Sequence, residues 1–306
     1  AVAEEGIELR GVLPDARIYV LAGATAQTLD ELKSHRLTPV LNTHEQCALW
    51  SQLPDPVPAA LHIDTGMHRL GLPSDYDLRA LPALELELVM THFARADEWS
   101  KPMRGEQLGR FAAWVPPLRE QFPEVLFSTN NTAAVLSGQD ASASVLADVP
   151  RDIDRLGIGL YGVNPHIERD SKPAKQRLAN VATLEAQVLQ VRQVDAGAEV
   201  GYGSTYRVSE ASRLATIGVG YADGIPRLLS NQGYVYFRGH RFPIVGRISM
   251  DSLVVNLPDT ADCNLQEGEW VEIFGANLPV DDVAQQAKTI AYEVYTGLGS
   301  RVRRLL

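Results

Sequence analysis

Cysteine is nearly absent from this chain: Cys47 and Cys263 are the only two in 306 residues, with no CxxC or Cys/His spacing around either. That argues against a disulfide framework and a cysteine-built zinc site, and it suits a reducing, cytoplasmic setting. No apolar run approaches the ~20 residues that span a bilayer, so no membrane partner is expected. No secretory signal pattern is visible. A basic surface is missing too: 28 Lys and Arg against 38 Asp and Glu give a net charge of −10. Nucleic acid is therefore not the expected partner, because binding phosphate chains needs a positive surface. The chain also lacks a GxGxxG turn for a dinucleotide and a carboxylate cluster suited to a divalent metal. What is present, 45% hydrophobic and 22% charged residues, is the composition of a soluble globular protein. There is no initiator Met, and Ala1 to Ala3 read like the tail of a strand, so an earlier start is expected.

Up to about residue 165 one rhythm repeats, a short apolar run followed by a polar, helix-like segment. The runs lie at 18–22, 38–41, 59–63, 86–90, 125–128 and 156–160, and helices are predicted at 44–53, 105–121 and 131–136. Continuous rather than alternating strands point to a parallel sheet covered on both faces. With the stub at the start this makes about seven β units, one short of a (β/α)8-type TIM barrel, so the first β unit is expected to be missing. An open doubly wound sheet is the alternative, without a dinucleotide turn to support it. After a charged linker at 170–175 the texture changes to strands at 181–194, 213–219, 233–237, 242–248, 252–256 and 270–274. These predict an antiparallel all-β domain with one late helix at 281–288. The expected division is a barrel domain at 1–172 and a β domain at 173–306.

In a barrel, chemistry gathers at the carboxyl ends of the strands. The residues there are rich in hydroxyl, amide and cationic groups: Asp64 to Arg69, Thr91 to Phe93, Ser128 to Thr132, then Arg155 and Gly157. Thr132 and Gly157 offer a hydroxyl and a bare backbone N–H suited to phosphate, although Ser, Thr and Asn at such places are more often helix caps. In the β half, Tyr202 stands between two glycines, which leaves its phenol open to close approach. A turn tyrosine that merely packs its ring is the plain alternative.

Seven segments occur in order: "HIDTGMHRLGL", "MTHFARADE", "RLGIGLYG", "VGYGSTY", "GYADG", "VGRISMD" and "AYEV". Together they resemble the bacterial alanine racemases, pyridoxal 5'-phosphate enzymes with a barrel and a C-terminal β domain. The resemblance runs along the whole chain. It implies interconversion of L-alanine and D-alanine by two bases, supplying D-alanine for peptidoglycan. It implies a homodimer in which Tyr202 and Met250 enter the partner's site. Tyr202 matches the tyrosine base, and His92 the histidine that hydrogen-bonds it and helps it ionise. Arg155 matches the arginine on the pyridine nitrogen, against a plain surface ion pair with Asp152 or Asp154. Asn131, Thr132, Gly157, Ile158 and Tyr292 fall on the phosphate site. Arg69 and Met250 fall on the substrate carboxylate, Tyr221 on the substrate entrance, and Asp251 on the loop that carries Met250.

Two departures stand out. Where many members carry a carbamylated lysine seven residues before Arg69, this chain has His62, which leaves Arg69 in need of another counter-charge. The lysine that holds the cofactor belongs to a "KANAYGHG"-like segment, and none of Lys33, Lys101, Lys172, Lys175 and Lys288 lies in such a context. The missing motif and the missing β unit agree, so the chain is expected to lack an N-terminal unit and to be inactive alone. A serine or broad-specificity racemase is the nearest alternative. A related decarboxylase, a non-catalytic cofactor-binding protein and a remnant that only binds cofactor stand further off.

Overall fold

The computed structural model describes residues 1–55, 57–97, 103–137, 149–166, 178–257 and 264–305. The chain divides into two units, one of residues 1–157 with 164–176, the other of 158–163 with 177–306. The expected linker at 170–175 lies outside the described residues, as do Lys101, Lys172, Lys175 and Cys263.

The first unit is a run of parallel strands: β1 (Tyr19–Val20), β2 (Thr38–Leu41), β3 (Ala59–Asp64), β5 (Leu86–Met90) and β6 (Leu126–Ser128), with β4 (Leu72–Pro73) paired to β3 off this path. α1 (Ala3–Val12) precedes them, α2 (Leu29–Ser34), α3 (His44–Ser51), α4 (Met103–Ala112) and α5 (Val115–Gln121) lie between them, and α6 (Thr132–Leu136) follows. Strand residues alternate between two faces. Leu41, Leu61, Ile63, Val89 and Phe127 join Leu32, Trp50, Phe111 and Leu118 of the helices in one large apolar core. On the opposite face, Val40, Ala60, Leu88 and Met90 form a separate small cluster with Tyr19, Leu126 and Ile153. Two buried faces explain why these strands read as continuous apolar runs.

Four expectations for this unit need correction. Ala3 opens α1 instead of ending a strand, although the Ala1 carbonyl accepts from Ala22 N at 3.0 Å beside β1. The run at 156–160 is no strand. The chain follows β6 earlier, through Ile153 N to Phe127 O at 3.2 Å and a single bridge between Asn131 and Arg155, and then makes a 3-10 turn at Ile158–Tyr161. Leu156 and Leu160 are 45% and 63% exposed, so the apolar run has no second face to cover it. The helix expected at 105–121 is two helices: Pro116 and Pro117 lack N–H groups and fit only the first turn of a new helix, α5. The helix expected at 44–53 ends at Ser51, and Thr43 caps its start by accepting from Gln46 N at 3.2 Å.

The second unit is a six-stranded antiparallel sheet. Its strands are β7 (Leu184–Val194), β10 (Ser212–Ile217), β11 (Tyr234–Phe237), β12 (His240–Pro243), β13 (Leu253–Leu257) and β14 (Trp270–Phe274), in the spatial order β12-β11-β14-β7-β10-β13. Its two ends meet: Ile244 bridges Val255, and Val245 N donates to Val254 O at 2.8 Å. Val188, Ala215, Val235, Phe242, Val255 and Val271 belong to the core of this unit. That core also takes in α7 (Val280–Gln286) and α8 (Ala291–Gly297), of which only the first was expected. A small hairpin, β8 (Glu199–Val200) and β9 (Tyr206–Arg207), was not foreseen and carries Tyr202 at its turn.

Candidate active site

The upper end of the inner face of the first unit is polar. His62, Met90 and Ser128 are register partners across β3, β5 and β6, so they lie in one transverse row. Arg155, on the segment beside β6, reaches into this row. Its Nη1 donates to Ser128 Oγ and its Nη2 to Thr91 O at 2.6 Å. Burial pushes the guanidinium down to about 10, low for an arginine but still protonated at neutral pH. The expected alternative, an ion pair with Asp152 or Asp154, is not formed. Asp152 accepts from Phe127 N at 2.8 Å and Asp154 from Asn130 Nδ2 at 2.9 Å. The Arg155 Nε–H has no acceptor among the described residues.

Two histidines flank this arginine with opposite tautomers. Asn42 Nδ2 donates to Leu21 O and Val40 O, so its Oδ1 must be the acceptor in the 2.9 Å contact with His62 Nδ1. His62 therefore carries its proton on Nδ1 and keeps a lone pair on Nε2. Arg155 Nη2 donates to His92 Nδ1 at 3.4 Å, which puts the His92 proton on Nε2. Burial, then the charge of Arg155, pushes both rings down to about 4, so both are neutral near pH 7.

The strand ends are held by groups that the sequence did not single out. Gln107 of α4, fully buried, donates to Thr65 Oγ1 and to His92 O, both at 3.1 Å, and accepts from Ala94 N at 3.0 Å. Thr65 and Thr91 share a hydroxyl contact of 2.7 Å. Asp64 turns the loop after β3: burial works against its charge, yet N–H groups of Gly66, His68 and Met67 hold it below the usual carboxylate range. Arg69, at the end of that loop, is exposed and has no hydrogen bond or ion pair among the described residues.

The phosphate candidates are partly rearranged. Gly157 N–H is not bare: it donates to Thr132 Oγ1 at 2.9 Å. Asn131 caps α6 by accepting from Ala134 N at 3.0 Å, the role polar residues most often take at such a position. A methyl group at Gly157 would meet nothing within 4 Å, so the space beside the Thr132–Gly157 pair is open. Ile158 is buried, and Tyr292 stands half-exposed on α8.

In the second unit three motifs meet. Residues 246–251 form a spine with a loop on each side. At one end, Gly201 and Gly203 pack on Gly246 and Arg247, with φ of 73° and 72° on either side of Tyr202. The glycines answer a backbone need as well as a spatial one: that left-handed region is costly for any residue bearing a Cβ. At the other end, Tyr221 N donates to Ser249 O at 3.1 Å and Ala222 N to Met250 O at 3.0 Å. Gly220 has to be glycine, because a Cβ would lie 2.3 Å from Met250 O. The outcome is three exposed side chains on one support: Tyr202 at 69%, Met250 at 53% and Tyr221 at 43%. The Met250 N–H has no acceptor among the described residues. A cleft of about 390 Å³ opens beside Tyr221, lined also by Arg227, Lys288 and Glu293.

Of the lysines that are described, Lys33 lies on α2 and pairs with Asp55 at 3.3 Å, and Lys288 follows α7. Neither stands at a strand end of the first unit. Among the described residues no group of three or more His, Cys, Asp or Glu could hold a metal, and no helix is long and apolar enough to cross a membrane.

A parallel βα unit with a partly buried arginine–histidine row, followed by an antiparallel β unit with exposed tyrosines, defines a two-domain class of protein, βα first and all-β second. The family models "Alanine racemase, N-terminal domain" and "Alanine racemase, C-terminal domain" match residues 1–165 and 181–306. An alanine racemase of Rhodospirillum rubrum is 38% identical over 99% of this chain and 80% of its own length. A solved alanine racemase of Bartonella henselae, with covalently bound pyridoxal phosphate, superposes with a TM-score of 0.84 at 35% identity, covering 100% of this chain and 83% of that one. The biosynthetic alanine racemase of Pseudomonas aeruginosa gives a TM-score of 0.83 at 33% identity, again over 100% and 83%. The chain belongs to the alanine racemase family. Its fold is the family's, an α/β barrel domain and a C-terminal antiparallel β domain. The expectation that a first βα unit is missing gains no support from an N-terminal model matched over residues 1–165.

Proposed function

We propose that this chain is a pyridoxal 5'-phosphate-dependent isomerase that interconverts L-alanine and D-alanine. The observation that carries the proposal is Arg155, a largely buried guanidinium whose Nε–H has no acceptor among the described residues. A pyridine nitrogen fits that donor, and an arginine keeps its own proton and leaves the ring neutral. When bound, the cofactor supplies a moderate electron sink for the α-carbon, enough to loosen its proton but weaker than a protonated ring.

The rest of the site divides the remaining tasks. Thr132, Gly157, Ile158 and Tyr292 hold the phosphate, and Asn131 sets the start of α6 from which Thr132 acts. Tyr202 is the base on one face of the α-carbon. His92, with its proton on Nε2, donates toward that phenolate and favours its ionised form. The Met250 N–H and Arg69 take the substrate carboxylate, Asp251 steadies the Met250 loop, and Tyr221 narrows the entrance. In this reading the active form is a homodimer, with Tyr202 and Met250 entering the partner's site. The enzyme works in the cytoplasm, and its D-alanine feeds peptidoglycan. In this reading the division of the chain at 172/173 puts Arg155 and Thr132 in the first part and Tyr202 and Tyr292 in the second.

The second base is not assigned among the described residues. Lys33 pairs with Asp55 and Lys288 follows α7, so this reading puts the covalent anchor of the cofactor on neither. The test is conversion of L-alanine followed by chiral chromatography with added pyridoxal phosphate, beside a cofactor titration and peptide mapping after borohydride reduction. Turnover of alanine well above serine supports the proposal, and comparable turnover of both favours a broad-specificity racemase. Cofactor affinity that is the same with and without the Arg155 side chain overturns the assignment of the ring nitrogen. A mapped increment on Lys33 or Lys288 overturns the statement about the anchor.

A further inference from the structure

The two loops that carry Tyr221 and Met250 are both tied to one residue outside either motif. Arg301, close to the end of the chain, lies with Nη2 2.7 Å from Asp251 Oδ1 and Nε 3.3 Å from Asp223 Oδ1. Asp223 belongs to "GYADG" and its other oxygen accepts from Gly220 N at 2.9 Å, so its carboxylate fixes the start of its own loop. Asp251 follows Met250 directly. The loops also share two backbone bonds, from Tyr221 N to Ser249 O and from Ala222 N to Met250 O. With the Met250 carbonyl committed, the Met250 N–H is still an open donor at this junction.

We propose that Arg301 is a positioning residue for the substrate-carboxylate site: by bridging Asp223 and Asp251 it holds the Met250 N–H and the Tyr221 side chain in one fixed geometry. The inference rests on the reading of Met250 given above. An exposed ion pair is worth little by itself, because solvent screens it and the side chains lose freedom. Arg301 works differently from two separate pairs. One planar group offers Nε and Nη2 to two carboxylates at once, so the loops cannot shift apart without breaking one contact. A lysine ammonium has no such fork and cannot reproduce the bridge.

The experiment compares Arg301→Ala and Arg301→Lys with the parent protein by steady-state kinetics and by amide hydrogen exchange. The KM for alanine is expected to rise roughly five- to tenfold in both, with kcat changed much less, as for lost ground-state positioning. Exchange should accelerate at residues 220–224 and 249–252 and stay unchanged across β7 and β14. Millimolar guanidinium should restore part of the KM in Arg301→Ala. Unchanged KM with unchanged exchange overturns the proposal, as does a uniform rise in exchange over the whole unit. If Arg301→Ala does not fold, Arg301→Lys decides the same question. If the parent protein does not turn alanine over, the reading of function fails, while local exchange still shows whether the bridge holds the loops.

Discussion

The two units place functional groups by opposite physical means. In the first, His62 is buried and Arg155 and His92 are partly so; burial and neighbouring charge keep the two rings neutral, and hydrogen bonds set their tautomers. In the second, Tyr202, Tyr221 and Met250 remain exposed, and backbone conformation sets where they stand. A buried polar row makes chemistry sensitive to pH and to the loss of one partner. A glycine-ruled loop makes it sensitive to a single Cβ. Each kind of placement therefore fails in its own way, and substitutions can tell the two apart.

The largest separation is expected at Tyr202. Tyr202→Phe should lower racemisation by ~10²–10⁴, the range for losing a general acid–base, while the thermal midpoint stays where it was because the side chain is exposed. Near-parental turnover would reduce the phenol to a turn residue. The next effect belongs to the first unit. His62 and His92 are held at about 4 in the folded chain against ~6.5 when unfolded. A lowered histidine pKa means that the unfolded chain takes up protons more readily. Stability is then complete above pH ~6.5 and is lost as pH falls toward 4, by up to ~3 kcal/mol for each group. Urea titrations at pH 7 and pH 5 measure it, and His62→Gln should flatten the slope. An equal slope in that variant would show that His62 is not neutral in the fold.

Arg155→Lys comes third. The charge stays, but the shorter side chain loses the planar fork that reaches Thr91 O and Ser128 Oγ from two nitrogens, so a cost of ~1–3 kcal/mol is expected from denaturation, with weaker cofactor binding. Gly203→Ala comes last. The left-handed φ costs ~1–2 kcal/mol, and the new Cβ lies 3.0 Å from Arg247 Nη1. Here activity should fall further than stability. The reverse order would mean that the tyrosine loop has no part in turnover.

How much of this was legible in the sequence follows from the same contrast. Strands at Thr38–Leu41 and Trp270–Phe274 fell where the apolar runs predicted, because burial writes itself into composition. The run at 156–160 misled because apolar residues continue after the chain has left the sheet at Arg155. Helix α8 was missed since Tyr292, Val294, Tyr295 and Thr296 favour strands locally, and only packing of Ala291 and Val294 on the core turns them helical. The glycines beside Tyr202 read as clearance in the sequence, whereas their left-handed φ is set only by the folded chain. Asn42 and Arg301 carry no mark in the sequence: each acts through a contact made by folding. Gln107 alone left a trace, as a glutamine on the inward side of α4.

Residues 246–251 support both the tyrosine hairpin and the Tyr221 loop. In measuring terms they are a common datum. A displacement of that segment moves Tyr202, Met250 and Tyr221 together, so the distances among the three change far less than the position of any one. Tolerance is thereby distributed unevenly: drift of the whole segment is forgiven, whereas an error in either attachment, at Gly246 or at Ser249, goes undiluted into the spacing between two of the three side chains. Selection on this unit should therefore act hardest on small backbone-facing groups that never touch a substrate.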